Sequence, residues 1–214
     1  MIHYLPVFLP QEDDEEKYDA LKGVNLRFLR GNYREQSRVL PFLFLVRNTT
    51  DMDRKVNVLK EKFICHLGIQ LIEDNCVAHI NADTEFMLLA PLKLGRSTRE
   101  NIFTIFGQEI NEADEEVKLP EEPKNVIEMY KNEFGCSPSS SQMLAYFAAD
   151  IAIKTHIDAG PSYHTMRHYL THSEFECSPL GKLSFTEERH TCLIGKTWKE
   201  FVARRQHAAA TPGS

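Results

Sequence analysis

The sequence predicts an α/β fold, a mostly parallel sheet flanked by helices, and three observations predict it. Short apolar runs alternate with stretches of helical period through residue 92, the signature of strand–helix–strand units. The run Pro41-Phe42-Leu43-Phe44-Leu45-Val46 is apolar without alternation, the pattern of a strand covered on both faces. The chain has 214 residues, 42% of them hydrophobic and 26% charged, enough to bury a substantial core.

The opening stretch Ile2 to Leu9 mixes β-branched, aromatic and aliphatic residues and reads as a strand, with Pro6 expected at an edge or an end. An acidic run, Gln11 to Glu16, follows, favourable charge for a helix N-terminus. Ala20, Leu21, Val24 and Phe28 then recur at helical spacing. Gly31-Asn32 breaks that helix, and Pro41 to Val46 forms the second strand. Asn48-Thr49-Thr50-Asp51 supplies a cap, after which Val56, Leu59, Phe63 and Leu67 mark a second helical stripe. Leu71 to Ile80 and Phe86 to Leu92 read as two further strands.

From Glu109 to Pro123 the composition turns acidic and proline-bearing, as a linker does. Val126, Met129, Tyr130 and Phe134 then make a short amphipathic helix stopped by Gly135. The serines around Pro138 offer a cap to a long apolar helix from Gln142 to Asp158, with Leu144, Phe147, Ala148 and Ile151 on its buried face. A further helix is expected from Ser162 to Thr171, and a final strand or hairpin from Leu180 to Phe185 and Thr191 to Trp198. The expected organisation is a core over 1–108, a linker over 109–124, elements returning to the core over 125–202, and a disordered tail over 203–214.

Composition excludes several functions. The formal net charge is -6, and Lys199, Arg204 and Arg205 are too few to make the basic face that phosphate binding requires, so no nucleic-acid partner is expected. No apolar run is long enough to span a bilayer. The start, Met1 to Pro6, shows no basic region ahead of its apolar residues, so no secretory signal is read there. Five scattered cysteines, Cys65, Cys76, Cys136, Cys177 and Cys192, form no C-x-x-C pair. They are expected to be free thiols in a reducing compartment, which favours the cytoplasm.

Several segments, in order along the chain, resemble the type I periplasmic solute-binding proteins of the branched-chain amino-acid kind. Val7-Phe8-Leu9-Pro10 with Ala20-Leu21-Lys22-Gly23-Val24 is similar to that family's first strand and helix. Phe44 to Thr49 resembles its second strand and turn, and Phe86 to Pro91 the strand that ends at its cleft. Residues 126–135, Pro138 and Ala145 to Asp150 resemble its tail helices, and Pro179 to Phe185 the strand after them. The resemblance implies one lobe of a bilobed binding fold, extracytoplasmic in that family and not enzymatic. The stretch that would build most of the second lobe is missing, so half of the cleft is expected to be lost. In that family small hydroxyl residues and glycine hold an amino-acid carboxylate after the third strand. His79 to Thr84 stands there instead, and Asp83 would repel a carboxylate.

The function expected is recognition without catalysis, as a protein-interaction module, with a conventional amino-acid-like ligand as the alternative. A polar ligand would sit at the strands' C-terminal ends, near Asn81, Asp83, Thr84, Pro91, Lys93 and Arg96. No cofactor and no metal is expected, and the oligomeric state is left open. A third class, a thiol or metal hydrolase, would use Cys192 with His190, or His164, His168 and His172, which recur every four residues on one helical face. Thr165 stands where a zinc protease places its glutamate, so that row reads as a solvated face. Cys65 and His66 are adjacent and point apart on a helix. Gly195-Lys196-Thr197 lacks the first glycine of a phosphate loop, since His190 occupies that position. The acidic runs at 12–16 and 112–122 read as solvated loops.

Overall fold

The computed structural model describes residues 2–11, 15–32, 35, 38–72, 74–77, 80, 82–91, 101–105, 124–176 and 182–187. Strand β1 (His3–Pro10) leads to helix α1 (Glu15–Leu29), then β2 (Val39–Val46) and α2 (Thr49–Phe63). Strands β3 (Leu67–Gln70), β4 (Met87–Ala90) and β5 (Ile102–Thr104) complete a parallel sheet ordered β2-β1-β3-β4-β5. Helices α3 (Lys124–Phe134), α4 (Ser140–Asp158) and α5 (Tyr163–His172) follow, then an antiparallel pair, β6 (Glu174–Glu176) with β7 (Lys182–Ser184).

Local chemistry sets the helix ends. Asn48 caps α2 by accepting the Asp51 backbone N–H at 3.0 Å. Ser139 and Gln142 form a reciprocal capping box at the start of α4. Gly135 and Gly160, both at positive φ, follow the ends of α3 and α4. Helix α2 stops instead at Ile64, which takes the left-handed conformation at φ 49.

The sheet is covered on both faces. On one, Leu5, Val7, Leu9, Ile69 and Leu89 pack with α1, α4 and α5. On the other, Phe8, Leu88 and Ala90 pack with Met52, Val56 and Leu59 of α2. Helix α4 buries Met143, Ala145, Phe147, Ala149, Ile151 and Ile153, so it is apolar nearly all round and sits between the sheet and α1. Each buried Leu, Ile or Phe of this core contributes about 1.5–3 kcal/mol relative to exposure.

Four expectations are corrected. Strand β2 is an edge strand, not one covered on both faces: Leu40, Phe42, Leu43 and Leu45 are 37–52% exposed. Strand β1 is interior, so Pro6 lies at neither edge nor end. Its pairing with β3 begins only at Val7, and the proline packs over Gly68, where an added Cβ would stand 3.0 Å from Pro6 Cγ. Leu67 belongs to β3 rather than to the α2 stripe. Where a strand is expected over 71–80, the described residues carry a 3₁₀ turn at Asp74–Val77 and no strand. The partner of β7 is β6, and residues 191–198 lie outside the described residues, as does the segment 109–123.

One buried imidazole gives a pH prediction. His156 of α4 is 1% exposed; its ring nitrogens lack well-formed hydrogen bonds, and contact with the Leu67 backbone only partly offsets burial. Its environment also holds the imidazoles of His3 and His66. Burial, reinforced by His3, pushes its pKa down to about 3. The unfolded chain therefore binds the proton below pH ~6.5 while the folded chain refuses it. Stability from this group is complete above that pH and falls by about 1.4 kcal/mol per unit as the solution is acidified towards pH 3. Urea unfolding at pH 7 and pH 5 should show this loss, and His156→Leu should flatten it.

Candidate functional site

In an open parallel sheet the crevice forms where the strand order reverses, outside the strands' C-terminal ends. Here the reversal lies between β1 and β3. Pro10 ends β1, and the Tyr18 hydroxyl donates to its carbonyl at 3.5 Å, tying the start of α1 to the strand end.

At the end of β2, buried Asp51 organises the turn into α2. Its carboxylate accepts from the Arg47 backbone N–H at 3.2 Å, from Arg54 at 3.2 Å and from the Lys55 ammonium. The Lys55 hydrogen bond is the main cause that holds the Asp51 pKa below the usual carboxylate range. Lys55 also donates to the Leu45 carbonyl at 2.7 Å. This corner is rigid and rimmed with cations.

At the tip of β3, Gln70 is 1% exposed. Its Nε2 donates to the Ile72 carbonyl at 3.1 Å, while its Oε1 is buried without a hydrogen-bond partner. An unmet acceptor in a core costs about 1–3 kcal/mol, so a donor brought to this point would gain by it. Gln70 was absent from the sequence-derived candidates. The available signal was one amide inside the apolar run Leu67 to Ile72.

The expected site residues do not gather at this end. Thr84 closes a 3₁₀ turn, Ala82–Thr84, that stands ahead of Met87, and Met87 pairs with Leu67 at the start of β3. Asp83 and Thr84 therefore sit at the N-terminal end of β4, while buried Pro91 follows its C-terminal end. The strand lies between them. Asn81, Lys93 and Arg96 lie outside the described residues.

The candidates for covalent chemistry divide similarly. The Cys65 thiol is buried, donates to the Tyr4 carbonyl at 3.1 Å, and is pushed up to about 12 by burial, so it is held as the weakly nucleophilic thiol. His66 reaches the Glu85 carbonyl at 2.8 Å instead of a thiol. Cys192, His190 and residues 195–197 lie outside the described residues. His164, His168 and His172 share the exposed face of α5.

Comparison with known proteins decides the fold. No protein-family model matches the sequence, and no curated protein matches it. Solved structures do match the backbone. A leucine binding protein LivK from Thermotoga maritima aligns at TM-score 0.67 and 9% identity over 87% of this chain and 92% of that one. The branched-chain amino acid transporter substrate binding protein LivJ from Streptococcus pneumoniae, solved with isoleucine, aligns at TM-score 0.67 and 8% identity over 90% and 94%. An ABC transporter protein from Rhodopseudomonas palustris gives TM-score 0.65 and 7% identity over the same shares. The chain has a type I periplasmic-binding fold. Its strand order and the return of α4 across the sheet are the parts of that fold on which the crevice depends. At these identities the likeness is one of backbone. No helix among the described residues is long and apolar enough to cross a membrane.

Proposed function

We propose that this chain is a non-enzymatic recognition protein built on the periplasmic-binding scaffold, and that it engages a protein rather than a small solute. The observation that carries the reading is β2. The described residues form a single parallel sheet, and its outer strand presents Phe42, 43% exposed, which shares the Tyr4 ring with exposed Phe63 of α2, and on its other face Leu43, 52% exposed. Contiguous apolar surface with charged neighbours is typical of a protein-binding face. Exposed Arg38 and Lys62 adjoin β2 and Phe63 in the sequence. Strand addition is the wrong mode for this edge. The outward backbone groups include Pro41, which has no N–H, and the Leu45 carbonyl, already bonded by Lys55. Side-chain packing is the mode that remains.

A photoreactive residue at position 43 should therefore cross-link to one discrete partner inside cells, and one at exposed Glu128 should not. Equal labelling at both positions, or none at 43, would count against the reading. The free thiols Cys65 and Cys136 support a reducing compartment, and we assign the protein to the cytoplasm on that ground.

A second reading is favoured by Gln70. A small polar ligand with a donor group would satisfy its buried Oε1 at the β1–β3 crevice, on a scaffold whose structural neighbours include one solved with isoleucine. Stabilisation by an amino acid that Gln70→Leu abolishes would favour this reading over the first.

A further inference from the structure

Helix α5 carries three imidazoles one turn apart, His164, His168 and His172, and all three line one surface cavity of about 530 Å³ with Asp158 and Tyr169. The spacing places them on one face, but a merely solvated face leaves such rings free to diverge. Here they converge. The rings of His168 and His172 lie 4.0 Å apart between centroids and within 30° of parallel.

The hydrogen bonding admits the tautomer a metal needs. His172 Nδ1 is 3.0 Å from the main-chain oxygen of His168 and 2.9 Å from the Thr171 hydroxyl. The carbonyl can only accept, and in the tautomer that donates to it Nε2 keeps its lone pair. A carbonyl on the non-ligating nitrogen is the arrangement that orients metal-bound histidines and raises their basicity. Across the cavity, the Tyr169 hydroxyl donates to Asp158 Oδ2 at 3.1 Å and holds that carboxylate on the wall.

We infer that His168 and His172 together bind a divalent transition cation of the zinc or nickel class at this cavity, with water filling the remaining positions and Asp158 adding negative charge beside them. Neutral imidazole suits these ions. Two histidines four residues apart on a helix present their nitrogens to one metal. Among the described residues no three His, Cys, Asp or Glu side chains converge on one point. The site is therefore a two-histidine site of modest affinity rather than a closed structural one.

Titration calorimetry of the full chain, produced without a histidine tag, tests this with Zn²⁺ and Ni²⁺ as separate probes. The expected result is saturable binding of one ion per chain, weakened about tenfold or more in His168→Ala and in His172→Ala. Both residues are exposed, and thermal unfolding of each variant should match the parent. His164→Ala should bind as the parent does. Absence of saturable binding, or parental affinity in the doubly substituted His168→Ala/His172→Ala chain, would overturn the assignment. So would loss of binding in His164→Ala with His172→Ala unaffected.

Discussion

Gly23→Ala is expected to destabilise the protein by roughly 3 kcal/mol or more. Gly23 sits where α1 crosses α4, and a Cβ added there would lie 1.9 Å from the Gln142 carbonyl oxygen and 3.0 Å from the Tyr146 backbone nitrogen. Both obstacles are main-chain atoms of a capped helix, so no side-chain rotation relieves them. Helix propensity argues the other way, because alanine is favoured over glycine by about 1 kcal/mol inside a helix. The steric term wins, since α1 and α4 must separate and both pack on the same core. A chain of this size loses roughly 6–12 °C in Tm for ~3 kcal/mol. Calorimetric melting checks it, and an unchanged or raised Tm would show that the two helices do not touch at this point.

The second large effect is expected at Arg27. Its side chain is 7% exposed, and it joins three parts of the chain. Nε donates to Asp150 of α4 at 2.6 Å, and the two terminal nitrogens meet Glu35 at 2.9 and 3.0 Å. Lys154 contacts the other Asp150 oxygen at 2.6 Å. Burial opposes the guanidinium charge, but the hydrogen bonds it donates to Glu35 and the charge of Asp150 outweigh it and raise its pKa. Removing the cation leaves Asp150 largely buried with only Lys154 beside it. Arg27→Met should therefore cost about 3–5 kcal/mol, the range for breaking one side of a buried pair. Arg27→Met/Asp150→Leu should cost clearly less than the two single changes summed, because the stranded carboxylate is gone. Urea denaturation of the four proteins measures this, and additive losses would mean that the pair is not coupled.

How much was legible in the sequence depended on whether the determining interaction was local. Asn48 and Ser139 announce their helices because a cap hydrogen bond spans three residues. The α1 stripe was equally plain. Strand β2 misled because an apolar run looks the same at an edge as in the middle, and only the strand order separates them. Leu67 was assigned to the wrong element because α2 ends at Ile64, a β-branched residue at positive φ, where glycine would have been the visible stop. That error propagated. Reading residues 71–80 as a strand put Asp83 and Thr84 beyond a C-terminal end, whereas they precede β4. Gln70 could be found only once its burial and its unmet oxygen were known, since an isolated amide in a sequence carries neither.

The same distinction governs the functional reading. A backbone shared with amino-acid-binding proteins at 7–9% identity fixes where a crevice lies, not what fills it. The exposed apolar residues of β2 and the cations around Asp51 are features of this chain's own surface, and the backbone likeness says nothing of them.

The most direct measurement is thermal melting of the purified chain against each of the twenty amino acids at millimolar concentration. A ligand present at a hundred times its Kd stabilises the folded state by about 2.7 kcal/mol, several degrees in Tm for a protein of this length. The proposed protein-recognition role predicts no shift with any of them. A rise of several degrees with one amino acid, and not with its neighbours in size and charge, would mean that the groove still closes on a solute.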